Sequence, residues 1–289
     1  MIGGFLIGSP SKAGPITFNT ALPVAKGQWI FRGQYLLIRA SDDPTPMDRS
    51  LTVNAAPLVL ATGVTPKLAL FGVVPFLDKS IDVDAAAGRQ TRGASGLGDV
   101  MLVARYTVSQ WDRPGETIRI APFGGVKFPT GRHADSDRLG RLPQPLQPGS
   151  GSWDGLAGAT LTWQRLDWEI DADAGYRRNG EADGFRFGDA AFADVSFQYR
   201  LLPRRLGAGV PGYLYAVLES NLVWAGRNRI GDARDPDSGG TTWNVDLGLQ
   251  YVTARYILEA AVQLPAVQQL HGSALKTNYQ VTAGFRVNL

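Results

Sequence analysis

The chain has 289 residues with no cysteine, two histidines, 35 glycines and 18 prolines; 44% are hydrophobic and 19% charged. That length can bury a full core, which excludes disordered, collagen-like and disulfide-stapled classes, and the absence of cysteine removes thiol catalysis, thiolate zinc and iron–sulfur sites. The net charge of +3 comes from 29 basic and 26 acidic residues that intermix along the chain, which argues against nucleic acid as a partner.

The chain opens on a segment, residues 1–25, that carries Phe5, Leu6, Ile7, Ile16 and Phe18 and has no basic residue before Lys12. It reads as a leader remnant or as a plug folded into whatever residues 26–289 enclose. No later stretch reaches the roughly 20 apolar residues of a spanning helix. The longest uncharged run, Leu51 to Pro66, is interrupted by Asn54, Pro57, Gly63 and Pro66. Apolar residues recur instead with period two, in segments bounded by Gly, Pro, Asp, Asn and Ser, which is the pattern of strands and turns.

In chain order the strands fall near 27–39, 50–62, 66–77, 98–109, 117–128, 153–165, 167–178, 189–201, 212–225, 240–253, 254–265 and 275–289. The clearest presents Trp168, Ile170, Ala172, Ala174 and Tyr176 on one face and Glu169, Asp171 and Asp173 on the other. The last continues the alternation to Leu289, with Val281, Ala283, Phe285 and Val287 opposite Gln280, Thr282 and Arg286. Long polar links such as 41–49, 78–97, 129–152 and 226–239 alternate with mostly shorter ones such as 63–65 and 252–253. Long loops on one rim and short turns on the other, with an even strand count, predict an all-β transmembrane antiparallel up-and-down barrel of about 12 strands in the outer membrane of a Gram-negative bacterium, both termini periplasmic. The tryptophans fit the same frame. Trp29, Trp111, Trp163 and Trp168 fall at the short-turn rim, Trp153, Trp224 and Trp243 at the other, and all but Trp111 share parity with the apolar face, as in the aromatic girdles of a barrel.

Two stretches carry a family resemblance. Gly96-Leu97-Gly98-Asp99-Val100 leads one strand, and Pro129-Thr130-Gly131 ends the next, followed by Gly149-Ser150-Gly151-Ser152-Trp153-Asp154. These resemble the outer-membrane transporter family of the meta-cleavage phenol-degradation pathway, distantly similar to long-chain fatty acid channels. The resemblance implies a barrel and a channel associated with uptake of aromatic or hydrophobic compounds. From the residues themselves, Gly96, Gly98 and Gly131 permit tight backbone turns, Pro129 stops ladder pairing, and Asp99 is expected to satisfy loop amides or to pair with Arg105.

Inward parity places Arg105, Arg119, Lys127, Arg177, Arg200, Arg255 and Arg286 in the lumen with Asp99, Glu169, Asp171, Asp173, Asp194, Glu219, Asp246 and Glu259. Charges of both signs in a narrow bore pair into networks. Strands 2 to 5 depart from a polar lumen, because their inward parity carries Leu58, Leu60, Phe71, Val73, Met101, Val103 and Phe123. An apolar lumenal wall needs a cover, either the N-terminal plug or a hydrophobic ligand. The resulting expectation is a channel passing small hydrophobic or aromatic compounds without catalysis, cofactor or metal, its partners being the outer-membrane bilayer, the barrel-assembly machinery and the solutes themselves. Two alternatives are a closed barrel acting as a scaffold or loop-mediated binder, and a lipid-modifying enzyme. His133 and His271 would be central to the second, but both fall in polar loops with no serine near them on a strand face. Asp232, Asp235 and Asp237 suggest calcium by type, yet Arg227, Arg229 and Arg234 interleave them and favour a self-compensated loop.

Overall fold

The computed structural model describes residues 13–85, 88–204 and 211–289. Twelve antiparallel strands form one closed barrel: β1 (Trp29–Ala40), β2 (Ser50–Gly63), β3 (Leu68–Ala85), β4 (Met101–Tyr106), β5 (Glu116–Lys127), β6 (Asp154–Arg165), β7 (Trp168–Arg178), β8 (Ala190–Leu202), β9 (Tyr213–Ala225), β10 (Gly240–Val252), β11 (Tyr256–Leu270) and β12 (Tyr279–Asn288). Each pairs with its sequence neighbours, and β12 returns to β1 in register from Ile30↔Asn288 to Arg39↔Tyr279. Every central backbone group therefore finds a ladder partner and no sheet edge is left open.

All twelve predicted strands are present, and four have bounds shifted by more than two residues, β12 among them because it begins at Tyr279 and not at 275. β3 continues to Ala85 and pairs there with Gly88–Leu97, so the expected loop 78–97 is a projecting β-ribbon rather than irregular chain. Alternation persists through Ile81 and Val83, which a purely polar loop would not show. β11 runs on to Leu270, and β4 is shorter than its pattern because Gly98 to Val100 leave the ladder.

The radial distribution is the inverse of a soluble protein. Leu70, Val74, Phe76, Leu102, Val126, Leu218, Leu247, Leu258 and Phe285 are exposed on the outer surface. Arg105, Arg119, Glu169, Asp171, Gln198, Glu219, Asp246 and Glu259 are buried in the bore. In the bilayer the outward residues meet hydrocarbon, which removes the cost of exposing them. Trp29, Trp153, Trp224 and Trp243 stand exposed near strand ends, whereas Trp163 and Trp168 pack edge to face with centroids 4.8 Å apart. Glu116 accepts the Trp163 indole hydrogen at 2.6 Å, and Arg165 lies over both rings. Trp111 sits on the hairpin segment Ser109–Arg113, paired to the start of β5.

Side chains close both kinds of link. At the β10–β11 turn, the Thr253 hydroxyl accepts from the amides of Arg255 and Tyr256, which supplies partners that a bare turn would leave to water. Arg255 thus belongs to this exposed turn and not to the lumen, a correction to the parity assignment. At the opposite rim the β1–β2 loop is tied by Asp43, which accepts from Arg49 Nη2 at 2.6 Å, from the Arg49 amide at 2.7 Å and from Thr45. The hydrogen-bonded Arg49 guanidinium holds the Asp43 carboxyl well below the usual carboxylate range. A carboxylate with a depressed folded pKa contributes stability above its unfolded value of about 4, and that contribution drains away as pH falls towards the folded value. Protection of the Thr45 and Arg49 amides, corrected for intrinsic exchange, is therefore expected to fall as pH drops below about 4, and in Asp43→Asn to be low already at neutral pH. Equal protection at pH 3 and pH 7 in the wild type would refute the assignment.

Candidate functional site

The bore is occupied by the described part of the N-terminal segment. Residues 13–25 run inside it, with Ile16 and Ala21 fully buried and Phe18 and Val24 nearly so. Phe5, Leu6 and Ile7 lie outside the described residues. The contacts come from all round the barrel. Ile16 packs on Val217 and Ala261, and Val24 on Ala61, Ala69 and Phe71. Glu219 accepts from the Ile16 amide at 2.7 Å, the Thr17 amide at 3.1 Å and the Thr17 hydroxyl at 2.6 Å. Thr162 accepts from the Ala21 amide, and Gln34 donates to the Ile16 carbonyl at 2.9 Å. Arg32, Arg286 and Arg105 donate to the carbonyls of Ile16, Pro15 and Thr20, and Arg105 also reaches Leu22 at 2.6 Å. A segment without secondary structure thus has its backbone groups satisfied by lumenal side chains, as burial requires.

Two cavities flank this segment. One of about 420 Å³ lies towards the short-turn rim, bordered by Gln28, Ile30, Asp112, Arg119 and Asn288. The other, about 270 Å³, is lined by Phe18, Pro57, Val59, Phe71, Val73, Met101, Val103, Phe123, Leu156 and Phe192, with Thr17, Asn19, Arg32, Gln34, Arg105, Thr160 and Asp173 as its polar groups. Asn19, Arg32, Val59, Phe71 and Arg105 border both. Arg105 stands at that shared boundary, 4.9 Å above the Phe71 ring and bonded to the carbonyls of Thr20 and Leu22.

Of the predicted path residues, Phe71, Met101, Val103, Phe123 and Arg105 line the second cavity, and Arg119 the first. Leu58 and Leu60 do not. They are 46% and 42% exposed on the outer face, and their neighbours Pro57, Val59 and Ala61 point inward. The alternation on β2 is right in period and inverted in sign. Sequence reasoning also passed over Arg32, Gln34, Leu156 and Phe192. The signal for the first two was available, since Ile30, Arg32 and Gln34 share one parity on β1.

The apolar wall owes its shape to glycine. Phe123, Gly158, Gly175 and Phe192 are register partners across β5, β6, β7 and β8. A Cβ on Gly158 would lie 2.5 Å from Phe123 Cζ, and one on Gly175 2.4 Å from Phe192 Cζ. Both rings therefore lie flat over the missing side chains, stacked with centroids 6.5 Å apart. Across the bore the wall is polar. Glu259, its side chain 0% exposed, accepts from Arg32 at 2.7 Å, Arg286 at 2.9 Å, Gln34 and Gln250. Arg200 pairs with Asp167, and Arg119 with Asp112 at 2.6 Å.

The two motif stretches converge at the long-loop rim. Asp99 accepts from the amides of Gly131 at 2.9 Å and Ser150 at 2.8 Å, and pairs with Lys127 at 2.6 Å, which also reaches Asp154 at 2.8 Å. Arg105, the alternative partner, points instead to Thr20 and Leu22 of the N-terminal segment. Thr130 Oγ1 accepts from the Val100 amide, Gly98 donates to the Pro75 carbonyl, and Pro129 follows the last strand residues of β5. Gly131 lies against Gly98 and Gly149 so closely that a Cβ there would meet their backbone atoms within 3 Å. Gly96 abuts the Arg132 guanidinium. This knot pins the loop 128–153 to the barrel. His133 lies 3.7 Å from Asp183 in the neighbouring loop, and the His271 amide donates to Gly239, so both histidines join loops at this rim.

Comparison with known proteins agrees with this geometry. A family model described as "Putative MetA-pathway of phenol degradation" matches residues 58–266, well over half the chain. No curated protein matches. An outer membrane channel from Pseudomonas putida F1 superposes with a TM-score of 0.71 at 17% identity, covering 96% of this chain and 100% of that one. The NanC porin gives 0.46 at 11% identity over 90% and 100%, and the β domain of the Bordetella autotransporter BrkA 0.45 at 13% over 91% and 100%. The fold is that of an outer-membrane barrel.

Proposed function

Because the chain belongs to that phenol-degradation family, we propose that it passes small hydrophobic or aromatic compounds through its bore, without turnover chemistry, past an N-terminal plug that must shift to let them by. The short-turn rim and both termini would face the periplasm. The observation that carries this reading is the apolar cavity of about 270 Å³ bounded on one side by Phe18 of the plug segment. A cavity of about 150 Å³ accommodates benzene, so one ring with small substituents fits here. Porins that pass ions keep a wet lumen; a wall of Val59, Val73, Val103, Phe123 and Phe192 gives ions no partner but gives a ring dispersion contacts.

Small aromatics cross phospholipid unaided, so the test needs vesicles with a lipopolysaccharide outer leaflet. Naphthalene entry, read by its fluorescence, is expected to be faster with the refolded full chain than without it, and slower again with Val103→Trp, which fills the cavity. No acceleration by the wild type would refute the proposal.

A further inference from the structure

Beside the apolar wall, β7 to β10 present Asp171, Asp173, Asp194, Glu219 and Asp246 to the bore. Asp173 is the register partner of Asp194, and Glu219 of Asp246. Among the described residues none of the five pairs with a lysine or arginine. Asp173 and Asp194 share a side-chain hydrogen bond, as do Asp171 and Glu169, and the other recorded partners are neutral donors. Asp171 accepts from Thr162, Asp194 from Asn221 at 3.0 Å, Asp246 from Gln263 at 2.8 Å, and Glu219 from Ser196 and the plug amides. Asp171 and Asp246 are fully buried, yet Asp171 Oδ2 and Asp246 Oδ1 have no hydrogen-bond partner, and neither does Asp173 Oδ1. The lumenal cations nearby are engaged elsewhere. Arg32 and Arg286 hold Glu259, Arg200 holds Asp167, and Arg105 holds plug carbonyls. A cluster of carboxylates without an ion-pair contact therefore adjoins the cavity, and the half-buried Asp173 is the member that enters its lining.

We propose that this cavity selects hydrophobic molecules bearing one protonated amine, the ring lying on Val103, Phe123 and Phe192 and the ammonium between Asp173 and Asp194. The assignment deepens the channel reading and rests on it. Charge complementarity decides the head group. An ammonium supplies up to three donors to acceptors that lack them. A carboxylate ligand would have to draw Arg105 away from the carbonyls of Thr20 and Leu22. A bare inorganic cation would surrender its hydration to the same acids without gaining anything from the apolar wall.

Isothermal titration of the refolded full chain in detergent, at fixed ionic strength, tests this with benzylamine, benzyl alcohol, phenylacetate and methylammonium. Benzylamine is expected to bind about tenfold or more tightly than each of the others, equivalent to one ion pair of about 1.4 kcal/mol. Asp173→Asn, nearly isosteric, should abolish that preference, with Asp194→Asn as a second variant and resistance of the barrel to detergent unfolding as the folding control. Benzyl alcohol, phenylacetate or methylammonium binding as tightly as benzylamine, or an unchanged preference in both variants, would overturn the proposal. Naphthalene entry separates the two readings. Entry without amine preference sinks only the selectivity, and absence of both entry and aromatic binding sinks the channel as well.

Discussion

Deleting residues 1–25 is expected to raise the single-channel conductance of the reconstituted barrel by about tenfold or more, because the constriction then passes from a filled bore to one lined by side chains alone. Ile16, Phe18, Ala21 and Val24 are buried within the bore, and the cavities on either side of the segment share Asn19, Arg32, Val59, Phe71 and Arg105 as their common boundary. Removing the segment would join them. The deletion also strips partners from Arg105 and Glu219, so it needs a companion that keeps every residue. Glu219→Ala serves, since it cuts the three contacts to Ile16 and Thr17 and leaves the ladder intact. Its expected signature is a closed level like that of the wild type with more frequent openings. If both variants conduct as the wild type does, the segment does not obstruct the path and the bore is closed by its own strands.

The second large effect concerns Glu259. Its carboxylate separates two guanidiniums, and these also hold the carbonyls of Ile16 and Pro15. Glu259→Ala leaves Arg32 and Arg286 facing one another without a counter-charge. Breaking a buried pair in this way typically costs about 3–5 kcal/mol, with the lower end expected where lumenal water can enter. Urea unfolding from vesicles, followed by tryptophan fluorescence, measures the loss. Adding Arg286→Leu to the variant should recover part of it, because one of the two repelling charges is gone. A loss within about 0.5 kcal/mol, as for an ordinary surface substitution, would mean that water already screens the triad.

The barrel was legible in the sequence because its two faces meet different solvents. On β7 the outward Trp168, Ile170, Ala172 and Ala174 alternate with Glu169, Asp171 and Asp173, and one strand of this kind fixes its own inside and outside. β2 has no such contrast. Pro57, Val59 and Ala61 face in while Leu58 and Leu60 face out, so both faces are apolar and the period survives without its sign. What settles the sign is register against β3, where Val59 opposes Val73 and Leu58 opposes Val74, information that lies in another strand. The site was legible in part for the same reason. Phe71, Val103 and Phe123 could be placed by parity, but Phe192 comes from a strand four places round from β4 and reaches Phe123 only through two glycines. The acids of β7 to β10 could be listed as lumenal, whereas their lack of ion-pair contacts depends on where Arg32, Arg200 and Arg286 turn. Motif spacing likewise shows Asp99 beside glycine but not that Lys127, rather than Arg105, is its cation.

The glycine row beneath the two phenylalanines ties the girth of the passage to the ladder behind it. Strand number and stagger set a barrel's circumference in coarse steps, and changing either rebuilds the whole wall. Here the rings rest where side chains are missing, yet a methyl at position 158 would meet the Ala174 carbonyl oxygen at 2.4 Å as well as the Phe123 ring, and one at 175 the Ala157 carbonyl oxygen at 2.9 Å as well as the Phe192 ring. Gauge and scaffold are thereby one variable at this level, because the same two glycines let the rings lie flat and let the neighbouring strands pair.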